Sequence, residues 1–482
     1  MRNRTLHPAL PGPGLKFLLL VGLLSLPMSA CWESPSGPAA APPGRVLIIA
    51  VDGATFRVIG PMMKSGQLPN FQALAQQGAS GAIRSHQPLL SPRVWTSVAT
   101  GKAPPNHGIE NWIQKDGTGG VRLYTSLDRK GHALWNIVSE SKEDVGVVNW
   151  LMTHPPEKIQ GVMISDFAFP SISERRLDLA QSFGEKMVGV TDVAVRRPED
   201  FEAGVVYPAS WATRFSSWLD EPAPLTRIKN PFEAESLQES EETQEYLAQV
   251  FRNDVLSARA ALAIEEELRP SLLMVYLPGI DRVSHFIWAG QEPRSIYPES
   301  MRLSLEEHRR QHQALRDYYA HVDELIGLLS ENYGPNDLVI VLSDHGFEAG
   351  GQPDSQNPLP GIHESDRALN GIFFARGRGV PAGYRVKASE ISVNDITPTV
   401  LAWRSLPIAR NMQGKPVDFI QTKPLRFRPS YDGSPIERVK EEKPATEKEI
   451  LEQLKSLGYV SETCDPDDTT MACGGPALEE AP

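Results

Sequence analysis

Three short apolar runs in this chain each lead into acidic and histidine side chains, and that shared ending restricts the fold more than any other feature. The run Val46-Leu-Ile-Ile-Ala-Val51 gives way to Asp52-Gly53, Leu272-Leu-Met-Val-Tyr-Leu277 to Asp281 and His285, and Leu338-Val-Ile-Val-Leu342 to Ser343-Asp344-His345. Further short runs at 145–150, 162–165 and 372–375 alternate with helical patterns at 68–77, 241–267 and 303–329. Such alternation predicts an α/β fold with a mostly parallel central sheet flanked by helices. In these sheets functional side chains collect at the carboxyl ends of strands. The Asp and His residues sit at those ends.

Composition narrows the class. The chain has 482 residues, 40% hydrophobic and 22% charged, with a formal net charge of -12. It is long enough for one large domain with insertions and too apolar to be disordered throughout. The acidic balance argues against a long nucleic acid partner, whose phosphates need clustered Lys and Arg. Residues 1–30 carry Arg2, Arg4 and Lys16 and no acid, then an apolar core at 17–26 and small residues before Cys31. That is the pattern of an export signal, too short to span a bilayer as a permanent helix. Met28-Ser29-Ala30 before Cys31 looks like a bacterial lipoprotein box, with Met28 where Leu is usual. It implies cleavage before Cys31, lipidation there, and attachment to a cell-envelope membrane on the periplasmic or outer face. An ordinary cleaved signal or an uncleaved anchor is the plainer alternative.

With Cys31 assigned to lipid, Cys464 and Cys473 remain as a pair expected to form a disulfide in an exported protein. The Pro- and Ala-rich stretch 31–44 reads as a tether. The main folded domain is expected over 45–425, with an insertion or cap near 166–235 where the pattern weakens. Beyond it, 426–482 offers one helix and then a tail with acids and no bases from Ser461 on.

Carboxylate and imidazole at strand ends are metal-ligand chemistry. Asp52, Asp281, His285, Asp344, His345 and a lone His363 in Pro360-Gly-Ile-His-Glu364 make six side chains able to hold two ions. Taken singly, an Asp after a strand is more often a turn former. Between the first two runs lies Ser91-Pro-Arg-Val-Trp-Thr-Ser-Val-Ala-Thr100, a helix opening whose N-terminus favours anions and which places a hydroxyl there. His107 reads as a packing or hydrogen-bonding residue, and His308 and His312 as exposed positions of a charged helix.

In order, Val51-Asp52-Gly53, Ser91-Pro92 with Trp95-Thr-Ser97, Thr100-Gly101, Pro104, His107-Gly-Ile109, Asp281 with His285, Ser343-Asp-His-Gly346 and His363 resemble the alkaline phosphatase superfamily. The branch they most resemble is the type I phosphodiesterases and nucleotide pyrophosphatases. The matching pieces span about 45–416. The resemblance implies an alkaline-phosphatase-like three-layer fold and two divalent ions, for which Zn²⁺ is the best fit. Asp281, His285 and His363 would hold one; Asp52, Asp344 and His345 the other, beside Ser91. Ser91, itself a ligand to the second ion, would attack phosphorus and form a covalent phosphoserine.

The implied activity is hydrolysis of a small phosphate ester or nucleotide. A phosphomonoesterase or phosphonate monoester hydrolase is the runner-up. A sulfatase ranks lower, because the places two and four after the nucleophile hold Arg93 and Trp95 rather than Pro and Arg. A non-catalytic surface lipoprotein ranks lower because all six ligands are present. The sequence departs from the branch in two places: Thr is commoner than Ser as nucleophile there, and Asn111 stands near the position of the branch's phosphate-contacting Asn. Arg93 is the other substrate-binding candidate.

Overall fold

The computed structural model describes residues 44–439 except 116–120, 170–203, 220–223, 233–236, 238–240, 352–358, 388 and 423. The expected signal segment, Cys31, the tether up to residue 43, the C-terminal helix, and Cys464 with Cys473 lie outside the described residues.

Among the described residues nine strands form the main sheet: β1 (Val46–Val51), β2 (Ala79–Arg84), β3 (Val145–Val148), β4 (Gly161–Ile164), β5 (Val206–Tyr207), β6 (Leu272–Leu277), β7 (Leu338–Leu342), β10 (Asn370–Gly377) and β11 (Tyr384–Arg385). A separate two-stranded ribbon consists of β8 (Glu348–Ala349) and β9 (Gly361–Ile362). Across the main sheet the order is β11-β2-β10-β7-β1-β6-β3-β4-β5. Only β10 and β5 run against the rest. The three runs singled out in the sequence are therefore adjacent and parallel, with β1 between β7 and β6.

Why these runs carry so little polar alternation follows from their burial on both sides. Leu47, Ile49 and Val51 join one core with Leu273, Val275, Leu277, Val339 and Val341. Val46, Ile48 and Ala50 join a second core on the opposite face with Leu272, Met274, Tyr276, Leu338 and Ile340. A parallel strand covered on both faces reads as a continuous apolar run. The first face is covered by α1 (Phe56–Lys64), α2 (Pro69–Gln77), α4 (Glu241–Leu268), α5 (Gly279–Ile287) and α6 (Leu305–Ser330), the second by α3 (Ser91–Thr100) and α7 (Ile396–Trp403). The result is the expected three-layer α/β arrangement. Among the described residues, no helix is long and apolar enough to cross a membrane.

Two helix boundaries follow local chemistry. Helix α3 has Pro92 in its first turn, where a missing N–H costs nothing, and ends at Gly101 with φ 68°. Helix α6 begins after Ser304, whose hydroxyl accepts from Glu307 N at 3.0 Å. His308 and His312 on α6 are half-buried, correcting the expectation of exposure: each ring bonds a backbone carbonyl, Glu292 O at 2.8 Å and Gly290 O at 3.0 Å. Within 166–235, the described part adds β5 to the sheet edge beside β4 and buries Trp211 and Phe215 in the first core.

Candidate active site

Register makes the strand ends level. Val51 lies opposite Leu277 and Ala50 opposite Leu342, and Asp52 N donates to Leu277 O at 3.1 Å. Asp52 therefore leaves the sheet beside Asp344-His345 on one side and beside α5 on the other. Asp281 lies in the first turn of α5 and His285 four residues on, which puts both on one helix face. Gly53 permits the approach. It sits at φ 67°, and a Cβ there would stand 2.9 Å from Asp281 Cα. Any larger residue would drive Asp52 and Asp281 apart.

His363 arrives on the β8–β9 ribbon. At Gly361 a Cβ would meet Ser284 O at 2.3 Å, so the ribbon lies directly against α5. The Glu348 carboxylate accepts from Ser365 N at 2.7 Å and from Ser365 Oγ at 2.6 Å, tying down the loop just after His363. The His363 ring stacks on that of His345 with centroids 3.9 Å apart.

All six candidates are buried and face one another. His345 Nε2 lies 3.5 Å from Asp52 Oδ1, 3.3 Å from Asp344 Oδ2 and 3.9 Å from Asp281 Oδ1. Asp281 Oδ1 is also 3.5 Å from His363 Nε2, and Asp281 Oδ2 is 3.6 Å from His285 Nε2. These separations exceed ordinary hydrogen bonds. Backbone acceptors fix two of the imidazoles: His285 Nδ1 meets Gly361 O at 2.9 Å and His345 Nδ1 meets Gly346 O at 3.0 Å. A hydrogen on Nδ1 leaves the Nε2 lone pair aimed into the cluster, the orientation a metal ligand needs.

Buried polar atoms nearly always have hydrogen-bond partners. Here Asp52 Oδ1, Asp344 Oδ2, His345 Nε2 and both nitrogens of His363 make none, and Ser91 Oγ makes none. A cluster of such atoms in one place fits a cation better than it fits protein packing. Donor atoms lie within 4.8 Å of one another in two sets, Asp281 with His285 and His363, and Asp52 with Asp281 and His345. The first set is the one the sequence suggests. The second has Asp281 in the place the sequence reading gives to Asp344, and the Asp281 carboxylate faces both halves. Asp344 stays beside His345 and is fully buried.

Electrostatics point the same way. Burial first, then Asp281, raises the Asp52 carboxyl, and burial with Asp52 and Asp281 pushes Asp344 well above the ordinary carboxylate range. Burial also works to raise Asp281, but His285, His363 and His345 together hold it below its ordinary value. Burial and the neighbouring His345 push His363 well below the usual imidazole value. Asp52 and Asp344, buried side by side and both raised, lack enough positive charge around them, and a divalent ion offsets that deficit. The donor set fits a metal.

Ser91 is the first residue of α3 and is fully buried. One turn along, Trp95 donates its Nε1–H to Asp52 Oδ2 at 3.0 Å. Residues i and i+4 share a helix face, so the face of α3 that carries Ser91 looks toward Asp52. The other candidates in this segment have local partners. Arg93 pairs with Glu110 at 2.6 Å, and Asn111 Oδ1 accepts from Trp112 N at 2.7 Å. His107 is structural: its Nε2 lies 2.9 Å from Ser97 Oγ, which also meets His86 Nε2 at 3.0 Å. Burial lowers His107 to about 3 and His86 to about 4, so both brace α3 as neutral rings.

Two residues near the ligands escape a sequence reading. Tyr276 and Trp95 both donate to Asp52 Oδ2. For Tyr276 the signal is an aromatic with a polar tip inside an otherwise aliphatic strand, which implies a buried partner for that tip; Trp95 is marked only as part of the resemblance.

The profile of the family described as Type I phosphodiesterase / nucleotide pyrophosphatase matches residues 46–369. This chain belongs to that family. As a type I phosphodiesterase/nucleotide pyrophosphatase family member it is a hydrolase of the alkaline phosphatase superfamily, and the match takes in Asp52, Ser91, both acid and histidine pairs and His363. Solved structures similar to it include a 2-O GAG sulfatase, 14% identical with TM-score 0.46, covering 80% of this chain and 76% of that one. Another is a putative sulfatase from Bacteroides thetaiotaomicron VPI-5482, 14% identical with TM-score 0.46, covering 78% and 73%. A third is phosphonoacetate hydrolase from Sinorhizobium meliloti 1021 in complex with phosphonoformate, 13% identical with TM-score 0.42, covering 74% and 94%. No curated protein matches the chain.

Proposed function

We propose that this phosphodiesterase-family protein hydrolyses a phosphodiester or pyrophosphate bond of a small phosphate-ester or nucleotide substrate, using Ser91 and two divalent ions, with Zn²⁺ the best fit. Asp281, His285 and His363 would hold one ion; Asp52, Asp344 and His345 would hold the other beside Ser91, and the Asp281 carboxylate faces histidines of both sets. The observation that supports this reading is the convergence of six buried donors, four of which (Asp52 Oδ1, Asp344 Oδ2, His345 Nε2 and the His363 ring) turn atoms without hydrogen bonds toward one another, on the side of α3 that carries Ser91.

When bound, the ions supply the positive charge that acidifies the Ser91 hydroxyl and offsets charge on the leaving group. Ser91 Oγ gives up its proton to solvent and attacks phosphorus, the ester P–O bond breaks with its electrons going to the leaving oxygen, and a phosphoryl ester of Ser91 forms that keeps the substrate's other ester group. Water then attacks the same phosphorus and returns Ser91. The position of Ser91 at the start of α3 directs helix N–H groups toward the phosphoryl oxygens.

A panel of bis-aryl phosphate, a thymidine monophosphate aryl ester, aryl phosphate, aryl phosphonate and aryl sulfate, with Zn²⁺ and with chelator, tests the reading. Preference for the first two in a chelator-sensitive reaction is expected. Preference for aryl phosphate or phosphonate selects the runner-up, and preference for aryl sulfate contradicts both.

We further propose that the protein is exported and held at a bacterial envelope membrane through lipid on Cys31, with Cys464 and Cys473 joined as a disulfide. Replacing Cys31 with Ser is expected to release activity from the membrane fraction. Unchanged membrane association would overturn it.

A further inference from the structure

The carboxylate of Asp52 is held unequally. Its Oδ2 receives two donors, Trp95 Nε1–H at 3.0 Å and the Tyr276 hydroxyl, while its Oδ1 makes no hydrogen bond and lies 3.5 Å from His345 Nε2. Neither donor is free to turn away. Trp95 is fully buried and Tyr276 is 3% exposed, and their rings meet edge to face with centroids 5.5 Å apart. Trp150 packs edge-on against the other side of Trp95 at 5.4 Å. An indole N–H or phenol O–H buried in such a stack has to spend its hydrogen bond locally. Both do so on one oxygen of one acid.

Asp281 is held differently, its two oxygens facing three imidazoles.

We propose that Trp95 and Tyr276 are positioning residues that reserve Asp52 Oδ1 for the ion beside Ser91 and set that ion's affinity apart from the other's. The inference rests on the two-ion reading above. With Oδ2 saturated by two hydrogen bonds, Asp52 binds through a single oxygen, and its torsion is fixed so that this oxygen faces His345. Trp95 also ties the affinity of that ion to the placement of Ser91, because one helix carries both. Hydrogen-bonding partners behind a metal ligand are worth about 10–100-fold in affinity. The effect should fall on that ion, since the Trp95 indole and the Tyr276 hydroxyl both donate to Asp52.

The test titrates Zn²⁺ into the metal-stripped full chain against a chromogenic chelator, comparing the unaltered protein with Tyr276→Phe, which keeps the ring and removes only the hydroxyl. Two bound ions are expected for both proteins, with one affinity unchanged and the other weakened by about 10–100-fold in Tyr276→Phe. Co²⁺ loaded in place of Zn²⁺ gives a second readout, a changed visible absorption from one of the two ions as Asp52 becomes free to bind through both oxygens. A merely structural hydroxyl would lower the melting temperature and leave both readouts alone. Trp95→Phe, checked for folding by circular dichroism, should weaken the same ion. Two ions bound with unchanged affinities and unchanged Co²⁺ spectra in Tyr276→Phe would overturn the inference. Fewer than two ions bound by the unaltered protein would instead overturn the reading on which it rests.

Discussion

The two halves of the donor cluster are built from different material. Asp52, Asp344 and His345 leave the ends of β1 and β7, adjacent central strands locked by parallel register. Asp281, His285 and His363 come from a helix and a two-stranded ribbon laid over the sheet, and their mutual position depends on side contacts: Gly361 against Ser284 O, Glu348 on Ser365, Gly53 against Asp281. The sheet-borne half is set by backbone pairing and should tolerate side-chain changes around it. The helix-and-ribbon half should fail at its packing contacts. Asp281 links them, because its carboxylate faces His345 as well as His285 and His363.

The largest expected effect belongs to the proposed nucleophile. Ser91→Ala should lower turnover of the preferred ester by about 10³-fold or more with metal content unchanged, measured by steady-state kinetics and metal analysis. Substitutions within the cluster then separate its halves. Asp281→Ala should cost both ions, whereas His363→Ala and Asp344→Asn should each cost one; elemental analysis of the purified proteins decides this. Equal losses from Asp281→Ala and His363→Ala would show that Asp281 serves only one half.

Packing gives a smaller contrast. Gly361→Ala should weaken the ion held by His285 and His363 while sparing the other, because the added methyl displaces the ribbon and leaves the strand ends in place. Loss of both ions would mean that the ribbon supports the whole centre.

The smallest effect is on stability. Asp254 on α4 accepts from Tyr318 OH at 3.0 Å beneath the start of α5, and burial raises its carboxyl from 3.8 to about 7. Between those values the folded protein keeps a proton that the unfolded chain has given up. That contribution is complete below about pH 4 and is lost as pH rises toward and through 7, with a slope of at most about 1.4 kcal/mol per pH unit. Asp254→Asn should flatten the denaturant-measured stability profile over that window. An unchanged slope would show that Asp254 is ionised in the fold.

The sheet-borne half was also the more legible in the sequence. Strands buried on both faces announce themselves as unbroken aliphatic runs, and Asp52, Asp344 and His345 stand at their ends. Strand β2 could not be read, because Ala-Ser-Gly-Ala-Ile-Arg has little intrinsic strand preference and is extended only through its pairing with β10 and β11. His363 and Ser91 carry no periodic signal and were found through the order of motifs. That Asp281 faces both halves was hidden, since it follows from how α5 lies over β1. The donors on Asp52 were hidden for a similar reason: Tyr276 and Trp95 are 181 positions apart in the chain and meet only when α3 packs on the sheet.

The most direct test of the central claim is trapping of the intermediate. The zinc-loaded protein would be mixed with a slowly turned-over aryl phosphodiester, quenched in acid, and its peptides analysed by mass spectrometry. The two-ion serine mechanism predicts a phosphoryl ester on Ser91 that appears during turnover and disappears when substrate is exhausted. Turnover with no modification of Ser91 at any quench time, together with full activity in Ser91→Ala, would contradict it.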